Sequence, residues 1–408
     1  MTTMLGVKYV IPSWTDSSQS ANPGSLGDPF NVVVIGAGNV NFGSDEGPWN
    51  HSYRLEQKIG PRLKIVALVD PVFERAADVL QKKRASFVES AYRDTVMYKT
   101  IHEFASAMKP DQKPKLILIG CPSAYRGSDE PGRDLEIQVM KLFPNSALFV
   151  EKPVASFEVS RAFAVANAIN QSGVTCSVGY MLRYLKAVQM MKKIIRDNQL
   201  TVMATIARYA CAYEAIVKPL WWDKELSGGP VIEQGTHFCD LSRYFGGDVD
   251  IPTVQAHSVQ WNEAPGKLSK IGVDESKIPA ENRIPRVTSA NWKYKTGATG
   301  SLTHLVALQG TAYSCELEVY CDGYLLKLID PYNEPILQVR RPGSDKDEIY
   351  TFKEDDPFLS EISAITDVIE KGQGAAEILS NFEDACKTYE LTWAIRLASE
   401  KTHQTYNK

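Results

Sequence analysis

The sequence predicts an α/β protein with two unlike halves: an N-terminal doubly wound domain, and a C-terminal α+β domain with a large, mainly antiparallel open sheet. Three observations carry this expectation. Short runs that are almost wholly apolar, Asn31–Ile35, Leu63–Val69 and Lys115–Ile119, alternate with helix-like stretches. That is the pattern of parallel strands covered on both faces. Later in the chain β-rich segments follow one another, and Asp322-Gly323 between Cys315–Cys321 and Tyr324–Ile329 is a two-residue hairpin signal. The 408 residues suffice for two to three domains at about 150 residues each.

Taken in order, residues 1–29 are rich in Ser, Pro, Gly and Asp and read as an irregular extension. Asn31–Ile35 is the first strand and ends in glycine. A helix is expected over Tyr53–Ile59, a second strand over Leu63–Val69, and helices over Ala76–Ser90 and His102–Met108. Lys115–Ile119 is the third strand, Leu135–Leu142 a helix and Ala147–Val150 the fourth strand. Residues 30–153 therefore form the first domain and 154–408 the second. The second opens with helices over Phe157–Gln171 and Tyr184–Asn198. Strands are expected at 201–210, 253–261, 286–294, 299–307, 315–321 and 324–330, with 262–285 as an inserted loop. Helices over 357–371 and 380–400 close the chain.

The composition, 44% hydrophobic and 23% charged with a net charge of −4, is that of an ordinary globular protein. It offers no basic field for nucleic acid or anionic lipid. The start of the chain lacks the features of a signal peptide, and no apolar run is long enough to span a bilayer. Seven scattered cysteines without a CxxC pair fit reduced thiols. A cytoplasmic location is expected, with no nucleic-acid or membrane partner.

Gly36-Ala37-Gly38 follows the first strand directly. Gly36 permits a tight turn, and Gly38, followed by Asn39, lets the backbone approach a pyrophosphate. Asn41 stands where the third glycine of GxGxxG would be, and residues 44–52 are inserted, so the first helix is expected to be distorted or delayed. Asp70 ends the second strand, where an acidic side chain bonds the adenosine ribose. It would repel a 2′-phosphate, which favours NAD over NADP. The bland alternative is a tight turn with Asp70 as a helix cap.

Glu151-Lys152-Pro153 follows the fourth strand, at the sheet edge where open α/β sheets hold ligands. Lys152 is either a solvated surface charge or a group that exchanges a proton with a substrate oxygen. In the segment Ser227–His237, Glu233 and His237 stand four apart and would share a helical face as a proton-handling pair or as an ordinary salt bridge. His237 with Cys239 lacks further ligands at a recognisable spacing, so no metal is expected.

GxG after the first strand, Leu-Val-Asp after the second, Val-Glu-Lys-Pro after the fourth and Gly-Gly-x-x-x-Glu-x-Gly-x-His further on occur in the order seen in the glucose–fructose oxidoreductase/inositol dehydrogenase (Gfo/Idh/MocA) family. The chain resembles that family from about residue 31 to 400, including Ser177-Val178-Gly179-Tyr180 with Arg183. The resemblance implies a Rossmann-type first domain and Lys152 as the catalytic lysine. Glu151 and Pro122 would stand beside the cofactor, His237 would be the active-site histidine, and Tyr180 and Arg183 would line the substrate pocket. Many family members carry Asp where this chain has Glu233. The activity implied is NAD-dependent hydride transfer at a hydroxyl or carbonyl carbon of a sugar, cyclitol or related polyol. The assembly implied is a homodimer or homotetramer through the open sheet. Two alternatives stay open: a ketone or imine reductase of secondary metabolism, and a non-catalytic dinucleotide-sensing regulator of the same fold.

Overall fold

The computed structural model describes residues 27–44 and 47–406. The extension expected over 1–29 lies outside the described residues apart from 27–29.

The first sheet contains β1 (Phe30–Ile35), β2 (Leu63–Val69), β3 (Val96–Tyr98), β4 (Leu116–Ile119), β5 (Ala147–Val150) and β6 (Cys176–Val178), in the spatial order β3-β2-β1-β4-β5-β6. All its pairings are parallel. Every residue of β1, β4 and β5 is buried, because helices cover both faces of the sheet. The strand order reverses between β1 and β4, and the crevice at that switch point is where such sheets bind ligands. The helix Val159–Ser172 and β6 continue this sheet past residue 153, the boundary expected from sequence.

The second sheet contains β7 (Val202–Ala212), β8 (Gln255–Val259), β9 (Val287–Lys293), β10 (Thr299–Leu308), β11 (Ser314–Cys321), β12 (Tyr324–Ile329), β13 (Ile336–Arg340) and β14 (Glu348–Thr351). Its order is β14-β13-β12-β11-β7-β10-β9-β8, and only β7 and β10 run parallel. Alternate residues of β11 are buried, as expected of a sheet covered on one face. The covered face packs against the helix Thr236–Gly246.

The helix expected over Ala76–Ser90 breaks into Phe73–Arg84 and Glu89–Tyr92. Ser86 explains the break: its hydroxyl donates to Lys83 O at 2.7 Å and accepts from Val88 N at 3.4 Å, in competition with the helical ladder. The helix Pro357–Lys371 has the expected bounds. Asp356 caps it by accepting from Leu359 N at 3.0 Å, and proline opens its first turn.

Buried ion pairs fix the second domain's helices to the connection after β6. Arg183 Nε and Nη2 bond Asp240 at 2.7 and 2.6 Å, and Nη2 also reaches Asp384 at 2.5 Å. Arg243 bonds Asp384 Oδ1 at 3.0 Å and Asp248 Oδ1 at 2.7 Å. Removing one partner of such a pair strands the other charge in the interior. Asp240→Ala should therefore lower unfolding free energy by about 3–5 kcal/mol, read from urea denaturation. A loss within error of zero would show that the network is energetically idle.

Candidate active site

The carboxyl ends of β1, β2, β4 and β5 bring Gly36, Asp70, Cys121 and Glu151 to one edge. Gly36 has φ 96°, and a Cβ there would stand 3.0 Å from the Cys121 nitrogen, so only glycine lets these loops touch. A Cβ on Gly38 would meet nothing within 4 Å, which leaves its backbone open to a close ligand. Asp70 ties the turn to its strand: Oδ2 accepts from Ala37 N at 2.7 Å and Oδ1 from Val72 N at 2.8 Å. Asn39 opens a helix of only four residues, Asn39–Phe42, and helix resumes at His51. The delay expected from the missing glycine is thus present. Asn41 is wholly buried, and its amide donates to Gly36 O at 2.7 Å and Ile35 O at 3.2 Å. Pro122 lies exposed on the loop after β4. An open glycine turn beside an acidic strand end fits a dinucleotide.

Glu151 is buried at the end of β5, and Lys152 follows it with a cis bond to Pro153. Glu151 Oε1 pairs with His51 Nε2 at 2.5 Å, and Oε2 accepts from Lys152 N at 3.1 Å. Burial pushes the Glu151 carboxyl up, but the His51 hydrogen bond and the charges of His51, Lys152 and Arg126 outweigh it and hold the group below the usual range. Lys152 Nζ crosses to the second domain and donates to the Glu233 carbonyl at 3.1 Å. His237 is 7% exposed, and its Nδ1 has no partner. Burial, reinforced by the Lys152 charge, lowers its pKa well below the usual value and keeps the ring neutral.

Residues 30–180 match the family model described as "Oxidoreductase family, NAD-binding Rossmann fold", and residues 183–324 match one for an oxidoreductase C-terminal domain. The chain belongs to the Gfo/Idh/MocA oxidoreductase family. Two uncharacterized proteins of Schizosaccharomyces pombe are 45% and 46% identical to it, over 90% and 92% of this chain and 96% and 93% of their own. Among solved structures, the 3-ketoreductase KijD10 of Actinomadura kijaniata, in complex with NADP and TDP-benzene, superposes with a TM-score of 0.67 at 13% identity, covering 91% of this chain and 98% of that one. An oxidoreductase of Agrobacterium radiobacter, in complex with NAD+, L-tartaric acid and magnesium, gives 0.68 at 15% identity, covering 91% and 97%. The UDP-N-acetylglucosamine 3-dehydrogenase GnnA of Acidithiobacillus ferrooxidans gives 0.66 at 14%, covering 91% and 98%. At such identities the likeness is one of fold.

Within this family framework three sequence expectations need correction. Arg183 does not line a pocket: it is 3% exposed, and all three guanidinium nitrogens are taken by Asp240, Asp384 and Leu379 O. Tyr180 is buried too, its hydroxyl bonded to that of Thr236 at 2.8 Å, and it reaches the site only through its ring edge on His237. Glu233 and His237 are not paired. Residues Val231–Gly235 form a wide π-type turn, and the Glu233 carboxylate accepts from Trp221 Nε1 at 3.0 Å. Lys152 is held by the Glu233 main chain, not by its side chain.

Sequence reasoning also missed His51, Arg126 and Glu361. Arg126 straps the edge together from beneath, donating to Cys121 O at 3.0 Å, Val154 O at 3.2 Å and Glu151 O at 2.5 Å. Its position in a loop gave no signal. Glu361 is fully buried, and neither carboxylate oxygen has a partner. Burial, then repulsion from Glu151 and Asp240, raises its pKa well above the usual carboxylate range. Glu361 is thus neutral in the fold where the unfolded chain ionises. That mismatch costs stability as pH rises through the unfolded value and vanishes below it. Glu361→Gln should raise the melting temperature at pH 7, with the gain shrinking to nothing near pH 4. A gain independent of pH would show that Glu361 is ionised in the fold.

Proposed function

We propose that the protein is an NAD-dependent oxidoreductase that moves hydride to or from a hydroxyl or carbonyl carbon of a sugar, cyclitol or related polyol. The observation that carries the proposal is the reach of Lys152 Nζ across to the Glu233 carbonyl, four residues before His237, from the edge that also presents the Gly36–Gly38 turn and Asp70. A nicotinamide dinucleotide bound there supplies the hydride donor or acceptor.

The chain's own groups divide the remaining work. Asp70, buried and bonded to the Ala37 and Val72 amides, fixes the glycine turn, and its charge at the end of the second strand disfavours a 2′-phosphate, which selects NAD. Gly38 gives the pyrophosphate a backbone without side chains. Lys152 exchanges the proton of the reacting hydroxyl and stabilises developing negative charge on that oxygen. His237, with its pKa far below 6.5, is a poor base beside a lysine cation. It acts as a neutral hydrogen-bonding group that orients the same oxygen. Glu151 holds the Lys152 main chain through its amide.

The relatives' printed activities support an oxidised or reduced sugar carbon as the substrate: a 3-ketoreductase and a UDP-N-acetylglucosamine 3-dehydrogenase. The partner we infer is a second copy of the chain, laid on the open face of the eight-stranded sheet. Ile206 is 46% exposed at the middle of that face, flanked in register by Ser301 and Glu318. Among the described residues no helix is long and apolar enough to cross a membrane.

Titration with NADH and NADPH, followed by nicotinamide fluorescence, tests the cofactor. NADH should bind more tightly, and equal or better binding of NADPH would overturn the role given to Asp70. In turnover of a panel of cyclitols and sugars, Lys152→Ala should lower kcat by about 100-fold or more with NADH affinity retained. Near wild-type turnover would remove Lys152 from the chemistry. Light scattering on a sizing column should show a dimer or tetramer, and Ile206→Arg should yield monomer. A monomeric wild type would refute the assembly.

A further inference from the structure

His237 stands between two tyrosines. The Tyr180 ring meets it edge-on with centroids 6.0 Å apart, and the Tyr332 ring does the same at 6.1 Å. The two differ in what their hydroxyls do. That of Tyr180 is spent on Thr236. That of Tyr332 is enclosed and closes no hydrogen bond. His237 Nδ1 is in the same condition.

Tyr332 follows β12 and precedes β13, and its ring is packed against Tyr209 at 6.1 Å and Phe238 at 6.5 Å. The residue as a whole is only half-buried. Burial, and after it the nearby Cys315, pushes the phenol pKa well above the usual value against a weak pull from the Tyr209 side chain, so the hydroxyl keeps its proton and remains a donor. An enclosed polar atom without a partner costs about 1–3 kcal/mol. Folded proteins retain few of them, and each needs an explanation.

Packing of the fold does not explain the pair. Phenylalanine would fill the same space around Tyr209 and Phe238 without a stranded hydroxyl. A ligand explains it, because two unpaired groups on adjoining rings can be satisfied together by oxygens on one molecule. Lys152 and His237 already serve the oxygen that reacts.

We propose that Tyr332 is a specificity-determining residue of this site, its hydroxyl donating to a second oxygen of the substrate close to the reacting one. The inference rests on the oxidoreductase reading above and narrows it. The substrate is a compound with neighbouring oxygens, a cyclitol or pyranose, and not a simple alcohol or ketone.

The test compares wild type with Tyr332→Phe in two measurements. The first is thermal melting without ligand. The second is calorimetric titration of the NADH-loaded protein with myo-inositol, D-glucose and cyclohexanol. The expected result is a variant that melts at or above the wild-type temperature and binds NADH as wild type does. Its affinity for the bound polyol should fall by about five- to tenfold, the size of one neutral hydrogen bond. Any affinity for cyclohexanol should stay unchanged. Equal polyol affinity in the two proteins would overturn the inference. So would a variant that melts several degrees lower, because the hydroxyl would then serve the fold. A wild type that takes NADH but binds neither polyol also overturns it and leaves the cofactor reading standing. Failure to bind NADH strikes at that reading itself.

Discussion

Glu151 carries a negative charge where water hardly reaches it, and much of the surrounding structure follows from that. A buried carboxylate costs several kcal/mol unless hydrogen bonds and opposite charge offset it. His51 supplies one bond, the Lys152 amide another, and the Lys152 and Arg126 cations supply charge. Position 179 has to be glycine, since a Cβ there would lie 2.8 Å from Glu151 Oε1. The His51 ring is set by Phe149 and Phe358, whose centroids lie 4.9 and 6.2 Å away. Asn50 caps the helix that delivers His51 by accepting from Tyr53 N at 3.0 Å. Glu361, on the helix that carries Phe358, cannot ionise as well, because a second uncompensated charge would meet the first.

The same electrostatic economy governs the other side of the cleft. Lys152 is the cation there, and a protonated His237 beside it would be a second one in a dry place. Burial and the lysine together keep the imidazole neutral. The separation between the two groups is held by the main-chain bond from Lys152 to Glu233 and by the Arg183–Asp240 pair, three residues further along the helix that bears His237. The position of His237 thus depends on charges that never face the cleft. An arginine that looks available in the sequence is in fact the anchor of the helix.

The features legible in the sequence are those where a local pattern and a strand end coincide. Gly36, Gly38, Asp70 and Lys152 each follow a short apolar run, and the structure places each at the edge of the parallel sheet. Features that depend on distant partners were not legible. Glu151 finds His51 100 residues earlier, and Arg183 finds Asp384 201 residues later, and neither partnership leaves a mark at either end of the sequence. The Glu233–His237 spacing misled because the rule for helical neighbours assumes an α-helix, whereas Val231–Gly235 winds more widely. The strands β3, β6, β13 and β14 escaped because runs of three to five residues show too little alternation.

The departure from the glycine motif and the pairing of Glu151 with His51 are one structural event. In the usual motif the third glycine lets the first helix pack closely on the strand and continue. Here Asn41 occupies that space and bonds the carbonyls of Ile35 and Gly36, and it faces Gly120, where a Cβ would lie 2.3 Å from Asn41 Oδ1. The helix stops at Phe42, and Gly43, with φ 85°, turns the chain away. The detour ends where Asn50 starts a new helix, and the first residue of that helix is His51. An uninterrupted helix from Asn39 would carry residue 51 about 18 Å along its axis, at about 1.5 Å per residue, away from the sheet edge. The interruption is therefore what brings an imidazole back to Glu151. Restoring glycine at position 41 alone would remove the bonds that hold the turn without closing the detour, so the insertion and Asn41 have to be read together.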